Sequence, residues 1–265
     1  IVVLSINLIH YLEVSIMKNS LRIKKIISLI LLIIIFFCAI KIYQKRLGYY
    51  TDSRDYDNLR SLSPLSDSSV NKSPEEHKQD AESEKNLKNI NPDYRFWIKV
   101  EGTNIDFPVV QGKDNDFYLH HNFNKEKSFS GSIFVDSENN LNDDSNIVVY
   151  GHNMRNDTMF AQIKHFKNEN FFNANKYVTL YREGKKSTFE IFSVYQENAK
   201  DLESQIKIKF SNKEDYEKYL KEQEEKSLFK REGIDLKDND RILTLVTCGY
   251  DFVNARIVIV AKEVN

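Results

Sequence analysis

The sequence predicts a mainly β domain, a barrel or a sandwich, carried behind one long apolar segment. Three observations point there. Short β-type runs separated by turn signals fill the chain between Phe96 and Lys262. One apolar stretch, Ile26 to Tyr43, is interrupted only by Ser28 and Lys41. Two stretches of helical spacing are inserted among the β-type runs. A net charge of -1 gives no reason to expect a nucleic-acid partner, and 41% hydrophobic with 29% charged residues is globular rather than disordered.

Met17, followed by Lys18-Asn19-Ser20-Leu21-Arg22, reads as a natural start, so residues 1–16 are expected to be an over-extended N-terminus. Residues 17–45 read as a basic cytoplasmic segment and a transmembrane anchor. The apolar stretch, about eighteen residues at about 1.5 Å each, reaches roughly 27 Å, close to a bilayer core. Lys18, Arg22, Lys24 and Lys25 precede it without an acid. A cleavable signal peptide is the competing reading, but no A-x-A site follows. Bulky Phe37 before Cys38 argues against a lipoprotein site. Residues 46–90 are expected to form a stalk and an N-terminal helix. The polar stretch 44–72 reads as linker. Ser73-Pro74-Glu75-Glu76 forms a capping box that opens a helix to about Lys88, before Asn91-Pro92.

Residues 91–265 form the expected folded domain. Phe96–Val100 and Ile105–Val110 flank Glu101-Gly102-Thr103-Asn104, a hairpin signal. Ser132–Val135, Asn146–Tyr150, Tyr177–Arg182, Thr188–Gln196, Ile242–Thr247 and Arg256–Lys262 complete eight candidate strands. Thr158–Phe166 reads as a short helix capped by Asp157. Ser211–Phe229 reads as a longer one, with Ser211 and Glu214 as its capping box and Tyr216, Tyr219, Leu220 and Leu228 as its apolar stripe.

The chain has two cysteines, Cys38 in the apolar stretch and Cys248 near the other end. If Cys38 lies in a membrane they cannot pair, which leaves Cys248 a free thiol at a strand end. His152 follows a Val-Val-Tyr-Gly run, and Arg256 opens the last candidate strand. Taken singly, each has a plain structural explanation: a core thiol, a loop histidine, a strand-edge charge. Together they supply a nucleophile, a proton carrier and an oxyanion donor. A hairpin of the last two strands sets Cys248 and Arg256 on either side of its loop. His120 and His121 are adjacent, so they face different ways and read as structural, and no Cys or His cluster has zinc spacing.

These residues resemble the sortase family. Thr244-Leu245-Val246-Thr247-Cys248 matches its T-L-x-T-C signature, Tyr150-Gly151-His152-Asn153 the segment carrying its His, and Arg256-Ile257-Val258-Ile259-Val260 the strand carrying its Arg. Trp97 to Gln111 and Asp114 to Leu119 look like the start of a class B domain. The resemblance implies a closed eight-stranded β-barrel with an N-terminal helix and a long helix between strands six and seven. It implies a cysteine transpeptidase that cleaves a C-terminal sorting signal after Thr through a thioacyl-enzyme and transfers the protein to a peptidoglycan amine. Cys248 is the nucleophile, His152 the general acid/base and Arg256 the oxyanion stabiliser. Thr247, Val246 and Asn153 are expected to bind substrate, although Val246 stands where some relatives carry Ser. No metal, cofactor or acidic partner for His152 is expected. The expected partners are sorting-signal-bearing surface proteins, a peptidoglycan stem amine and the membrane. The domain is expected outside the cell, behind a single-pass anchor. A surface cysteine hydrolase, a pilus-type sortase and a non-enzymatic tethered domain are the rivals. The chain's end just past the last strand weighs against the pilus type, which often carries a second membrane helix.

Overall fold

The computed structural model describes residues 2–65 and 74–264, in two compact units that divide between Tyr49 and Tyr50. In the first unit the chain is helical from its first described residue. This helix, α1, is Val2–Arg60. From Ile23 it is long and apolar enough to cross a membrane, and the side chains of Ile26 to Tyr43 are all exposed.

The second unit contains the last turns of α1, the helix α2 (Pro74–Ile90) and a closed barrel. Its strands are β1 (Tyr94–Val100), β2 (Asp106–Val110), β3 (Ile133–Val135), β4 (Asn146–Tyr150), β5 (Tyr177–Arg182), β6 (Lys185–Asn198), β7 (Ile242–Cys248) and β8 (Ala255–Glu263). Around the barrel the order is β1-β2-β3-β4-β7-β8-β6-β5, and β5 returns antiparallel to β1. Closure leaves no open sheet edge. Two neighbour pairs, β2 with β3 and β4 with β7, are parallel. All eight expected strands are present, so the barrel rather than the sandwich is the outcome.

The helices depart from expectation in instructive ways. The linker expected from residue 44 is helical to Arg60. Tyr56 and Leu59 are buried, and Tyr56 donates from its hydroxyl to the Gly131 carbonyl at 2.7 Å while meeting Phe107 edge-on. Polar composition hid this because only one residue per turn faces the barrel. The expected Ser73 cap lies outside the described residues. The helix it was to open runs two residues beyond Lys88, to Ile90. Glu84 on α2 accepts from the amides of Glu183 and Gly184, both at 3.0 Å, which fastens the β5–β6 turn to the helix.

Thr158–Phe166 is not an α-helix capped by Asp157. A 3-10 helix occupies Ala161–Lys167, followed by α3 (Glu169–Ala174). Asp157 sits at φ 64° in the preceding turn, where its carboxylate takes Lys164 instead of helix amides. Between β6 and β7 lie α4 (Ala199–Gln205) and α5 (Lys213–Glu225), the latter being the expected inter-strand helix. Its cap is Asn212, not Ser211. Asn212 accepts from the Asp215 amide at 2.8 Å, and Asp215 returns a bond to the Ser211 amide at 3.2 Å, a capping box moved by one residue. Tyr216, Tyr219 and Leu220 are buried as expected, but Leu228 lies beyond the helix, half exposed, with its amide bonded to Val194.

Candidate active site

Two strand pairings bring the sequence-predicted residues together. In the antiparallel pair β7–β8, Cys248 stands opposite Arg256. Directly opposed residues project from the same sheet face. In the parallel pair β4–β7, Tyr150 stands opposite Val246, and the Gly151 amide extends the ladder to the Val246 carbonyl at 3.2 Å. Two residues further on each chain lie His152 and Cys248. The period of two sets Cys248 and Arg256 on the face that also carries Val148, Val246 and Val258, and His152, two residues past the end of β4, lies at the same end of the three adjacent strands. Those three valines are buried beneath Leu202, Tyr216, Tyr219 and Leu220 of α4 and α5. The insertion thus closes most of this face and leaves the strand ends open. Cys248, His152 and Arg256 are each partly exposed there, and both Cys248 and Cys38 are free thiols.

Short hydrogen bonds fix the loop after β4 to the end of β7. Thr247 donates from its hydroxyl to the Gly151 carbonyl at 2.7 Å. Asn153 donates from Nδ2 to the Cys248 carbonyl at 2.7 Å, and the Tyr250 hydroxyl donates to the Asn153 carbonyl at 2.6 Å. His152 is therefore flanked on both sides by ties to the strand that carries the thiol. Gly151 leaves no room for a side chain, because a Cβ there would come within 2.5 Å of Ile133 and 2.7 Å of Phe160.

The His152 ring meets a backbone group. Its Nε2 lies 2.8 Å from the Leu119 carbonyl. A carbonyl only accepts, so Nε2 carries the proton and the neutral ring keeps its lone pair on Nδ1. Sequence reasoning did not find this contact, since a carbonyl leaves no signature in residue type. Leu119 did lie in the Asp114–Leu119 stretch of the family resemblance. Arg256 donates from one terminal nitrogen to the Ala255 carbonyl at 3.1 Å, and among the described residues no carboxylate pairs with it. Its remaining donors are not neutralised, as a cation that meets a developing oxyanion requires.

The three residues expected to bind substrate sit differently. Thr247 is buried, alternates to the face opposite Cys248 and has its hydroxyl engaged by Gly151. Val246 is buried in the cluster under α5. Asn153 is buried with its amide nitrogen committed to Cys248. His121 stacks on Phe117 with ring centres 4.0 Å apart, and His120 is exposed near Asp116.

Comparison with known proteins shows the family. The family model described as a sortase domain matches residues 98–264. Sortase B of Staphylococcus aureus is 33% identical over 247 residues, covering 92% of this chain and 98% of the relative. Sortase B of Listeria monocytogenes is 37% identical over 185 residues, covering 68% of this chain and 74% of the relative. Among solved structures, a cysteine-to-serine mutant of Clostridium perfringens sortase B is 92% identical with a TM-score of 0.78, covering 80% of this chain and 98% of that one. A Staphylococcus aureus sortase B–substrate complex is 29% identical with a TM-score of 0.72, covering 83% and 99%.

Proposed function

Because the chain belongs to the sortase family and is a class B cysteine transpeptidase of cell-wall anchoring, we propose that Cys248, His152 and Arg256 perform its chemistry. The observation that carries this is the facing pair Cys248 and Arg256, with His152 tied to the same strand end. The Cys248 thiolate attacks the carbonyl carbon of a Thr in the sorting signal. The carbonyl electrons move to oxygen, and Arg256 donates to that oxyanion. As the oxyanion collapses, the C–N bond breaks and protonated His152 gives its Nδ1 proton to the departing amine. A thioester to Cys248 remains. His152, now neutral, takes a proton from an incoming peptidoglycan stem amine as it attacks, and Cys248 leaves as thiolate.

Thr247 and Asn153 position this machinery in the proposal, and Val246 packs beneath it. The apolar part of α1 within residues 17–45 is the anchor, and the barrel faces outward, where wall amines are found. The Leu119 carbonyl supports the assignment of His152 by leaving Nδ1 free for the proton.

The test is product analysis with purified protein, a sorting-type peptide and a stem-peptide amine. Transfer predicts a ligated product and faster turnover as amine is added. Hydrolysis indifferent to amine would overturn the acceptor assignment and favour a surface hydrolase.

A further inference from the structure

Residues 249–254 join the proposed nucleophile to the proposed oxyanion donor, yet little apolar burial holds them. Tyr250, Phe252 and Val253 are 69%, 46% and 83% exposed. Asn254 adopts φ 60°, and its carbonyl accepts from the Ala199 amide at 2.9 Å. A loop so exposed is free to fluctuate unless polar ties restrain it.

The strongest ties converge on one side chain. Both carboxylate oxygens of Asp251 accept from Lys167 Nζ, at 2.7 and 2.8 Å, and Gln196 Nε2 donates to the same carboxylate at 2.6 Å. Lys167 ends the 3-10 helix Ala161–Lys167, whose Ala161, Ile163 and Phe166 are fully buried, and its own side chain is only 24% exposed. Gln196 lies on β6 opposite Ile257 of β8, next to Arg256. Asp251 thus fastens the loop to a 3-10 helix with a buried apolar face and to a barrel strand. The 3-10 helix follows directly from the turn after His152, whose carbonyl accepts from the Phe160 amide at 2.9 Å. Lys167, and after it Gln196, also hold the Asp251 carboxyl below the usual carboxylate range, so the clamp is charged at neutral pH.

We infer that Asp251 is a positioning residue for the transpeptidation. Held by Lys167 and Gln196, it keeps the β7–β8 loop closed so that Cys248 and Arg256 stay aligned across it. It acts through the loop and not on His152, whose ring is already bonded to Leu119. The inference rests on the nucleophile and oxyanion roles proposed above.

The experiment compares wild type with Asp251→Ala, Lys167→Ala and the exchanged pair Asp251→Lys with Lys167→Asp, using steady-state cleavage of a sorting-type peptide. Loss of alignment by a fraction of an ångström lowers kcat about tenfold in each single variant, with KM within about twofold. The exchanged pair recovers most of kcat, because Gln196 can turn its carbonyl to Lys. Raising salt lowers wild-type kcat toward the single variants, since the pair is partly exposed and screened. Amide hydrogen exchange over 249–254 quickens in Asp251→Ala while the strands stay protected, which separates clamp loss from misfolding. Unchanged kcat in both single variants, an exchanged pair no better than they are, or a rise in KM alone overturns the inference. Cys248→Ala runs alongside: if it still cleaves, the nucleophile assignment fails instead.

Discussion

Replacing Thr247 by Val keeps the side-chain shape and removes one hydroxyl. That hydroxyl is buried and is bonded to the Gly151 carbonyl at 2.7 Å, the residue before His152. The substitution leaves a buried carbonyl without its donor, which costs about 1–3 kcal/mol. For a domain of this size each kcal/mol moves the melting temperature by about 2–4 °C, so a fall of about 2–12 °C is expected. The turn bearing His152 loosens with it, and kcat falls while KM changes little, because the hydroxyl does not reach the peptide. Differential scanning calorimetry and steady-state cleavage of a sorting-type peptide read both effects on the same protein. An unchanged melting temperature with a raised KM would refute the reasoning, since it would mean the hydroxyl touches substrate and not the Gly151 carbonyl.

Three further outcomes are expected. Asn153→Asp replaces the donor on the Cys248 carbonyl with a second acceptor, so turnover falls about tenfold or more in the same peptide assay, with binding preserved. Leu220→Ala opens a cavity in the cluster beneath α5 and lowers stability by about 2–5 kcal/mol in urea titration, while cleavage persists below the unfolding transition. Lys167, then Gln196, depress the native pKa of Asp251, so its stabilisation is complete above the unfolded value near about 3.9 and disappears as pH falls through the lower native value. The melting-temperature gap between wild type and Asp251→Asn is therefore flat through the neutral range and closes in acid.

The barrel was legible because its strands carry dense β-branched and aromatic residues between turn signals, and all eight emerge within a few residues of where those signals fall. The proposed trio came from residue type and the family signature, and the register of β7 with β8 sets Cys248 opposite Arg256. What escaped was whatever depends on backbone groups or on one residue of phase. The carbonyl of Leu119 has no sequence signature, and it is the partner that fixes His152. The alternation of β7 turns Thr247 away from the thiol and onto the Gly151 carbonyl. Ser211 and Asn212 are both competent caps, and only the chain's path onto the barrel chose the second. The polar stretch after the apolar segment hid a helix because it buries few residues, Asp52, Tyr56 and Leu59.

The most direct measurement is intact-protein mass spectrometry after mixing the enzyme with a sorting-type peptide and quenching in acid before the amine is added. The expected result is an acyl adduct on wild type, mapped to Cys248 and released by hydroxylamine, with none on Cys248→Ala. An adduct of equal yield on Cys248→Ala, or peptide cleavage that continues without Cys248, would contradict the account.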